Sequence, residues 1–129
     1  MPLTPGIRGC AEVLVSGMNT AAALGSGTLP VFSTPSMIAL MEKAARESVQ
    51  PFLEEGQGTV GTALNVKHLA ATPVGLRVRA ESELLEIDRR RLTFRVEAWA
   101  GGEKIGEGTH ERCLIDSERF LAKAQAKLP

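Results

Sequence analysis

A hydroxyl, a carboxylate and an imidazole stand at Thr34, Glu42 and His68, the side chains of this sequence best suited to move a proton or attack a carbonyl. Thr34 precedes Pro35 where a loop meets a helix. It reads as the N-cap, or as a hydroxyl presented beside a helix N-terminus that favours negative charge. Glu42 lies at the edge of an apolar stripe, with Ile38, Ala45 and Val49 at helical spacings. It either pairs with Arg46 one turn on or serves as a partly buried base or nucleophile. His68 follows Leu64 and Val66 on the apolar face of a strand, as a structural histidine or as a proton carrier near neutral pH. Gly61 interrupts that strand, as glycine does at a bulge or where backbone closely approaches a ligand. His110 and Arg112 share a face of a later strand, flanked by Glu107 and Glu111, and read as a surface ion-pair ladder. Arg112 also offers a fork of donors that suits a phosphate or a carboxylate, and it reads as a phosphate ligand or simply as the partner of a glutamate.

Other chemistries lack their residues. There is no phosphate loop, no strand-linked GxGxxG, no GxSxG elbow and no HExxH. Two cysteines, Cys10 and Cys113, and two histidines complete no common zinc set, so no metal is expected. Lys plus Arg number 15 and Asp plus Glu number 15, a balance without the basic excess of a nucleic-acid binder. No apolar run reaches the roughly 18 residues of a membrane span. The N-terminus carries no basic segment followed by an apolar stretch, so a cytoplasmic, reduced protein is expected.

The elements that must position these residues follow from patterning. At 129 residues, 43% hydrophobic and 23% charged, the chain reads as one globular domain over 1–129. Aromatics are only 4%, so the core must be aliphatic. Residues 7–15 read as a strand and 16–33 as a long, glycine-rich loop of the kind that forms lids. Met37, Leu40, Met41, Ala44 and Ala45 recur at helical spacing, and Pro51 predicts a helix end near Val49. Four strands follow, over 59–69, 76–87, 91–100 and 103–115, with turns at 70–75, 88–90 and Gly101-Gly102. In the first of them Val60, Thr62, Leu64, Val66 and His68 are expected to share a face. A short helix over 117–128 closes the chain, with Phe120, Leu121 and Ala124 on one side. The fold class is therefore α+β, an antiparallel sheet wrapped around one long helix.

Three segments then acquire a joint meaning: VFSTPSMIALMEKAA, GQGTVGTALNVKHLAATPVG and RRLTFRVEAWAGGEKIGEGTHER. Together they span roughly residues 30–125 and resemble the hotdog-fold thioesterases of the fluoroacetyl-CoA type. The resemblance implies a hydrolase that cleaves a small acyl-CoA thioester to the free acid and CoA. It places the catalytic threonine, glutamate and histidine on Thr34, Glu42 and His68. Its substrate-contacting glycine and arginine fall on Gly61 and Arg112. It implies no cofactor beyond the CoA of the substrate, and a homodimer or dimer of dimers with the site at the interface. One stretch departs from the pattern. Residues 24–30 (LGSGTLP) are small where the fluoroacetate-specific enzyme carries aromatic lid residues, so the acyl group is not transferred with the reaction. The alternatives are a non-catalytic acyl-CoA or metabolite-binding hotdog module, in which Glu42 is structural, and a hotdog dehydratase, which needs an acid/base pair aimed at a β-hydroxyl.

Overall fold

The computed structural model describes residues 2–129. Strand β1 (Arg8–Leu14) leads to a short helix α1 (Ala21–Leu24) and then to the long helix α2 (Thr34–Val49), which ends in a single 3₁₀ turn at Gln50–Phe52. Strands β2 (Gln57–His68), β3 (Arg77–Asp88), β4 (Arg91–Ala100) and β5 (Glu103–Asp116) follow, and helix α3 (Ser117–Gln125) closes the chain. All pairings are antiparallel, in the order β1-β3-β4-β5-β2. The two edge strands are therefore β1 and β2.

Helix α2 starts one residue earlier than the sequence suggests. Ser33 is the N-cap, and its side chain accepts from the Ser36 N–H at 3.1 Å. Thr34 is thus the first helical residue and Pro35 the second, where the missing N–H is harmless. This correction matters for chemistry, because it leaves the Thr34 hydroxyl unengaged by the helix terminus. Pro51 stops the α-helix at Val49, as expected from its clash with the preceding turn.

The apolar stripe of α2 (Met37, Leu40, Met41, Ala44, Ala45 and Val49) packs on the inner face of the curled sheet. That face is supplied by Val78, Ala80 and Leu84 from β3 and by Leu92, Phe94, Val96 and Ala98 from β4, all fully buried. Small residues let the helix approach. At Gly106 any Cβ would meet the Met37 sulfur at 2.5 Å.

The 16–33 segment is more ordered than its glycines suggest. Thr20 caps α1 with its hydroxyl, and Gly25 closes it in the left-handed conformation at φ 74°. Phe32, also fully buried, pins the segment to the core, and its N–H donates to the Thr72 carbonyl. Cys10 on β1 and Cys113 on β5 are both free thiols, separated by the width of β3 and β4.

Strand β2 departs from simple alternation. A bulge between Gly61 and Ala63 inserts one residue, so Gly61 pairs with Arg112 and Leu64 with His110. Antiparallel partners share a face, so Thr59 and Gly61 point inward before the bulge, and Leu64, Val66 and His68 after it. Val60 and Thr62 consequently do not share the face of Leu64, contrary to the regular alternation expected from sequence.

Candidate active site

Two groups of candidate side chains sit at opposite ends of β2. The first joins the N-terminus of α2 to the end of β2. The Thr34 hydroxyl lies 2.7 Å from His68 Nδ1. Both face a cavity of about 420 Å³ walled by Ala21, Ser26, Val31, Phe32, Leu69, Ala70 and Ala71. The wall is small and apolar, and the α1 segment forms one side of it. Burial lowers the pKa of His68, and the backbone of Ala70 offsets this in part. No well-aligned hydrogen bond reaches its Nε2, which is buried. At neutral pH the ring is therefore uncharged, and Nδ1 can accept the Thr34 proton.

The sign of the pH response follows. As pH falls through a pKa below 6.5, His68 gains a proton and Nδ1 ceases to accept. We expect kcat/KM of a reaction that uses the Thr34–His68 pair to stay level from neutral pH down past 6.5 and then to fall. A His68→Asn variant should lack that limb. A limb centred above 6.5 in the wild type would contradict the buried, neutral imidazole.

The second group lies where the middle of α2 crosses the start of β2. The Glu42 carboxylate rests on Gly61. A methyl group at Gly61 would occupy the place of Oε2 and stand 3.2 Å from His110 Cε1 and 3.4 Å from Arg112 Nη1. Glycine is needed here because the carboxylate passes directly over the backbone. Arg112 holds the carboxylate from below, with Nη1 3.4 Å from Oε2. Its Nε donates to the Thr59 hydroxyl at 2.7 Å and its Nη2 to the Thr59 carbonyl at 2.9 Å. His110, fully buried, lies 3.1 Å from Nη1.

Arg112 is only 4% exposed, and of its two expected roles the geometry favours the pairing with a glutamate over a clamp on phosphate. Two other expectations are revised. His110 and Arg112 form no surface ladder. They occupy the inner face of β5, while Glu107 and Glu111 take the outer one, where they pair with Lys104 and Arg91. Glu42 is not bonded to Arg46, which pairs with its neighbour Glu47. The sequence carried a signal for His110, since it alternates with Arg112, but nothing in the pattern said which face was buried.

Among the described residues, no group of three or more His, Cys, Asp or Glu side chains could hold a metal ion. No helix is long and apolar enough to cross a membrane. A charged hollow of about 310 Å³ on the far side of the sheet is lined by Arg8, Arg79, Glu81, Glu83, Arg95 and Glu97. Its charges are already matched in pairs such as Arg95–Glu83 and Arg79–Glu81.

A sequence profile described as fluoroacetyl-CoA-specific thioesterase matches residues 15–118. The chain belongs to the fluoroacetyl-CoA-specific thioesterase family. Within this family, the fluoroacetyl-CoA thioesterase of Streptantibioticus cattleyicolor is 48% identical over 99 residues, which is 77% of this chain and 71% of the relative. A solved structure of the fluoroacetyl-CoA thioesterase covers 100% of both chains at 40% identity, with a TM-score of 0.92. A variant of that enzyme in complex with acetyl-CoA gives a TM-score of 0.93 at 39% identity, covering 98% of this chain and 100% of that one. A Thermus thermophilus member of the thioesterase superfamily follows at 31% identity and a TM-score of 0.88, covering 97% and 93%. This family member thus has the hotdog fold, and it is an acyl-CoA thioester hydrolase.

Proposed function

We propose that the protein is a cytoplasmic homodimer that hydrolyses small acyl-CoA thioesters at sites built from both subunits. Thr34 and His68 of one subunit would act together with Glu42 and Gly61 of the other. The observation that carries this reading is the separation of the two groups within one protomer. Thr34 and Glu42 stand eight residues apart on a regular helix, about 12 Å along its axis. Their strand partners, His68 and Gly61, stand seven residues apart, roughly 20 Å along β2. One thioester carbonyl cannot span that distance.

The unpaired edge of β2 supplies a remedy. Its outer backbone groups have no neighbour, which is the standard template for pairing with another chain. A second copy of the chain added antiparallel along that edge would bring the His68 end of one β2 toward the Gly61 end of the other.

In such a site the acyl group enters the small apolar cavity beside Thr34 and His68. The carbonyl oxygen, where negative charge develops, would lie near the backbone at Gly61, beside the Glu42 carboxylate. The Glu42 carboxylate, steered by Arg112, takes a proton from water or attacks the carbonyl itself. His68 moves the proton, and Thr34 orients the acyl group. No cofactor is required beyond the CoA of the substrate. The fluoroacetyl group named for the relatives is not assumed for this chain. Its 24–30 segment offers Gly25, Ser26, Gly27 and Thr28, so the cavity wall there carries no large ring. The free thiols of Cys10 and Cys113 suit a reducing compartment.

The test is thiol release from short, branched, aromatic and halogenated acyl-CoAs. Turnover of at least one member is expected, and the profile across the panel names the acyl pocket. Binding of CoA esters without any release would instead support the non-catalytic module.

A further inference from the structure

We propose that His110 is a positioning residue for hydrolysis: as a neutral ring protonated on Nδ1, it sets the Arg112 guanidinium that holds Glu42 over Gly61. The inference rests on the role given to Glu42 above and extends it one residue deeper.

The donors and acceptors leave a single arrangement. His110 Nδ1 lies 2.9 Å from the Ala63 carbonyl oxygen. A carbonyl only accepts, so Nδ1 must carry the proton. Nε2 lies 3.1 Å from Arg112 Nη1, and a guanidinium only donates, so Nε2 must be the bare nitrogen. Nη1 has two hydrogens. One meets His110 Nε2 and the other points toward Glu42 Oε2. Thr59 engages Nε and Nη2. All three nitrogens of the fork are thereby assigned, and the plane of the guanidinium is fixed.

The origin of the arrangement is the bulge in β2. It brings Leu64, rather than Ala63, opposite His110, and it directs the Ala63 carbonyl at the ring. Phe94 of β4 stacks against the imidazole at 6.1 Å between centroids and keeps its orientation. The charged groups around the ring are Arg112 and Glu111 from β5 and Glu42 from α2, and those from β2 and β4 that touch it, Ala63 and Phe94, do not titrate. Burial and the neighbouring Arg112 both disfavour a second proton on the ring. A protonated ring would face Nη1 donor to donor.

Two substitutions separate the two hydrogen bonds. In His110→Gln the amide oxygen reaches the position of Nε2 and can still accept from Arg112. In His110→Asn the amide lies near the position of Nδ1 and can serve only Ala63. We expect His110→Asn to lower kcat about 10- to 100-fold, the worth of a hydrogen bond to a charged group, with KM changed less than about threefold. His110→Gln should recover to within about threefold of wild-type kcat. Equal kcat in all three proteins would overturn the proposal, as would equal losses in Gln and Asn. Nitrogen NMR of the wild-type imidazole provides a reading that needs no variant. It should show Nδ1 protonated and Nε2 bare at pH 7, and the opposite tautomer sinks the idea. Glu42→Ala run in parallel keeps the two readings apart. If that variant turns over normally, the role of Glu42 fails. If it is inactive while His110→Asn is fully active, only the role of His110 fails.

Discussion

Glu42→Gln is expected to lower kcat by about 10³-fold while leaving KM for a turned-over acyl-CoA nearly unchanged. The amide keeps the shape of the side chain and its oxygen can still face Arg112 Nη1, so the local packing survives. What it loses is the negative charge and the basic lone pair, which both routes to hydrolysis require. The loss is far beyond what altered packing explains, because the Glu42 side chain is only partly buried and fills no core volume. Glu42→Ala should be equally inactive. It differs in stability, since it strips Arg112, 4% exposed, of its counter-charge. Stopped-flow or thiol-trapping kinetics together with a thermal melt check both statements. A Gln variant within tenfold of wild type would remove the carboxylate from the reaction and leave it as the counter-ion of Arg112.

The same residue shows what patterning conveys and what it withholds. Helix α2 was legible to within one residue because its signals are local. A proline at its second position, apolar residues at helical spacing and a second proline past its end all act within a few residues of one another. The strands and the curled antiparallel sheet were legible for a similar reason, as β4 shows, where Leu92, Phe94, Val96 and Ala98 alternate and are all buried. Ser33 and Thr34 were not separable, because either hydroxyl can cap and only the backbone at the junction decides. Gly61 signalled a bulge, but the register the bulge imposes was hidden. An extra residue in one strand is defined by its partner, and the partner Arg112 lies fifty-one positions away. That single insertion shifts which residues face inward, and with it the surroundings of His110 and Arg112. Their burial is a tertiary fact. On the strand itself they look like ordinary charged residues near two glutamates.

Mixing two inactive variants is expected to restore activity. Thr34→Ala disables the group at the start of α2, and Glu42→Ala disables the group over Gly61. If each site draws one group from each subunit, a mixed dimer holds one site with both mutations and one site with neither. Random exchange of subunits makes half of the dimers mixed. One site in two is intact in those, so about a quarter of the wild-type kcat per site should return, with an unchanged KM. Each variant alone should stay at least about 100-fold below wild type. The recovery must follow exchange of subunits, so it should appear after brief unfolding and refolding of the mixture, or on co-expression, and grow with the mixed fraction. A double variant carrying both mutations on one chain, mixed with wild type, gives the converse pattern: its mixed dimers have two half-disabled sites, so activity falls below the share of wild-type chains. Zero recovery in the first mixture, with mixed dimers demonstrated by mass, would place Thr34, His68 and Glu42 in one subunit's site and require a rearrangement of α2. A strict monomer in solution would have the same consequence. The distances make the shared site the economical reading, because eight residues of regular helix and seven of strand separate the two groups, while an edge strand with no neighbour offers the surface on which they can meet.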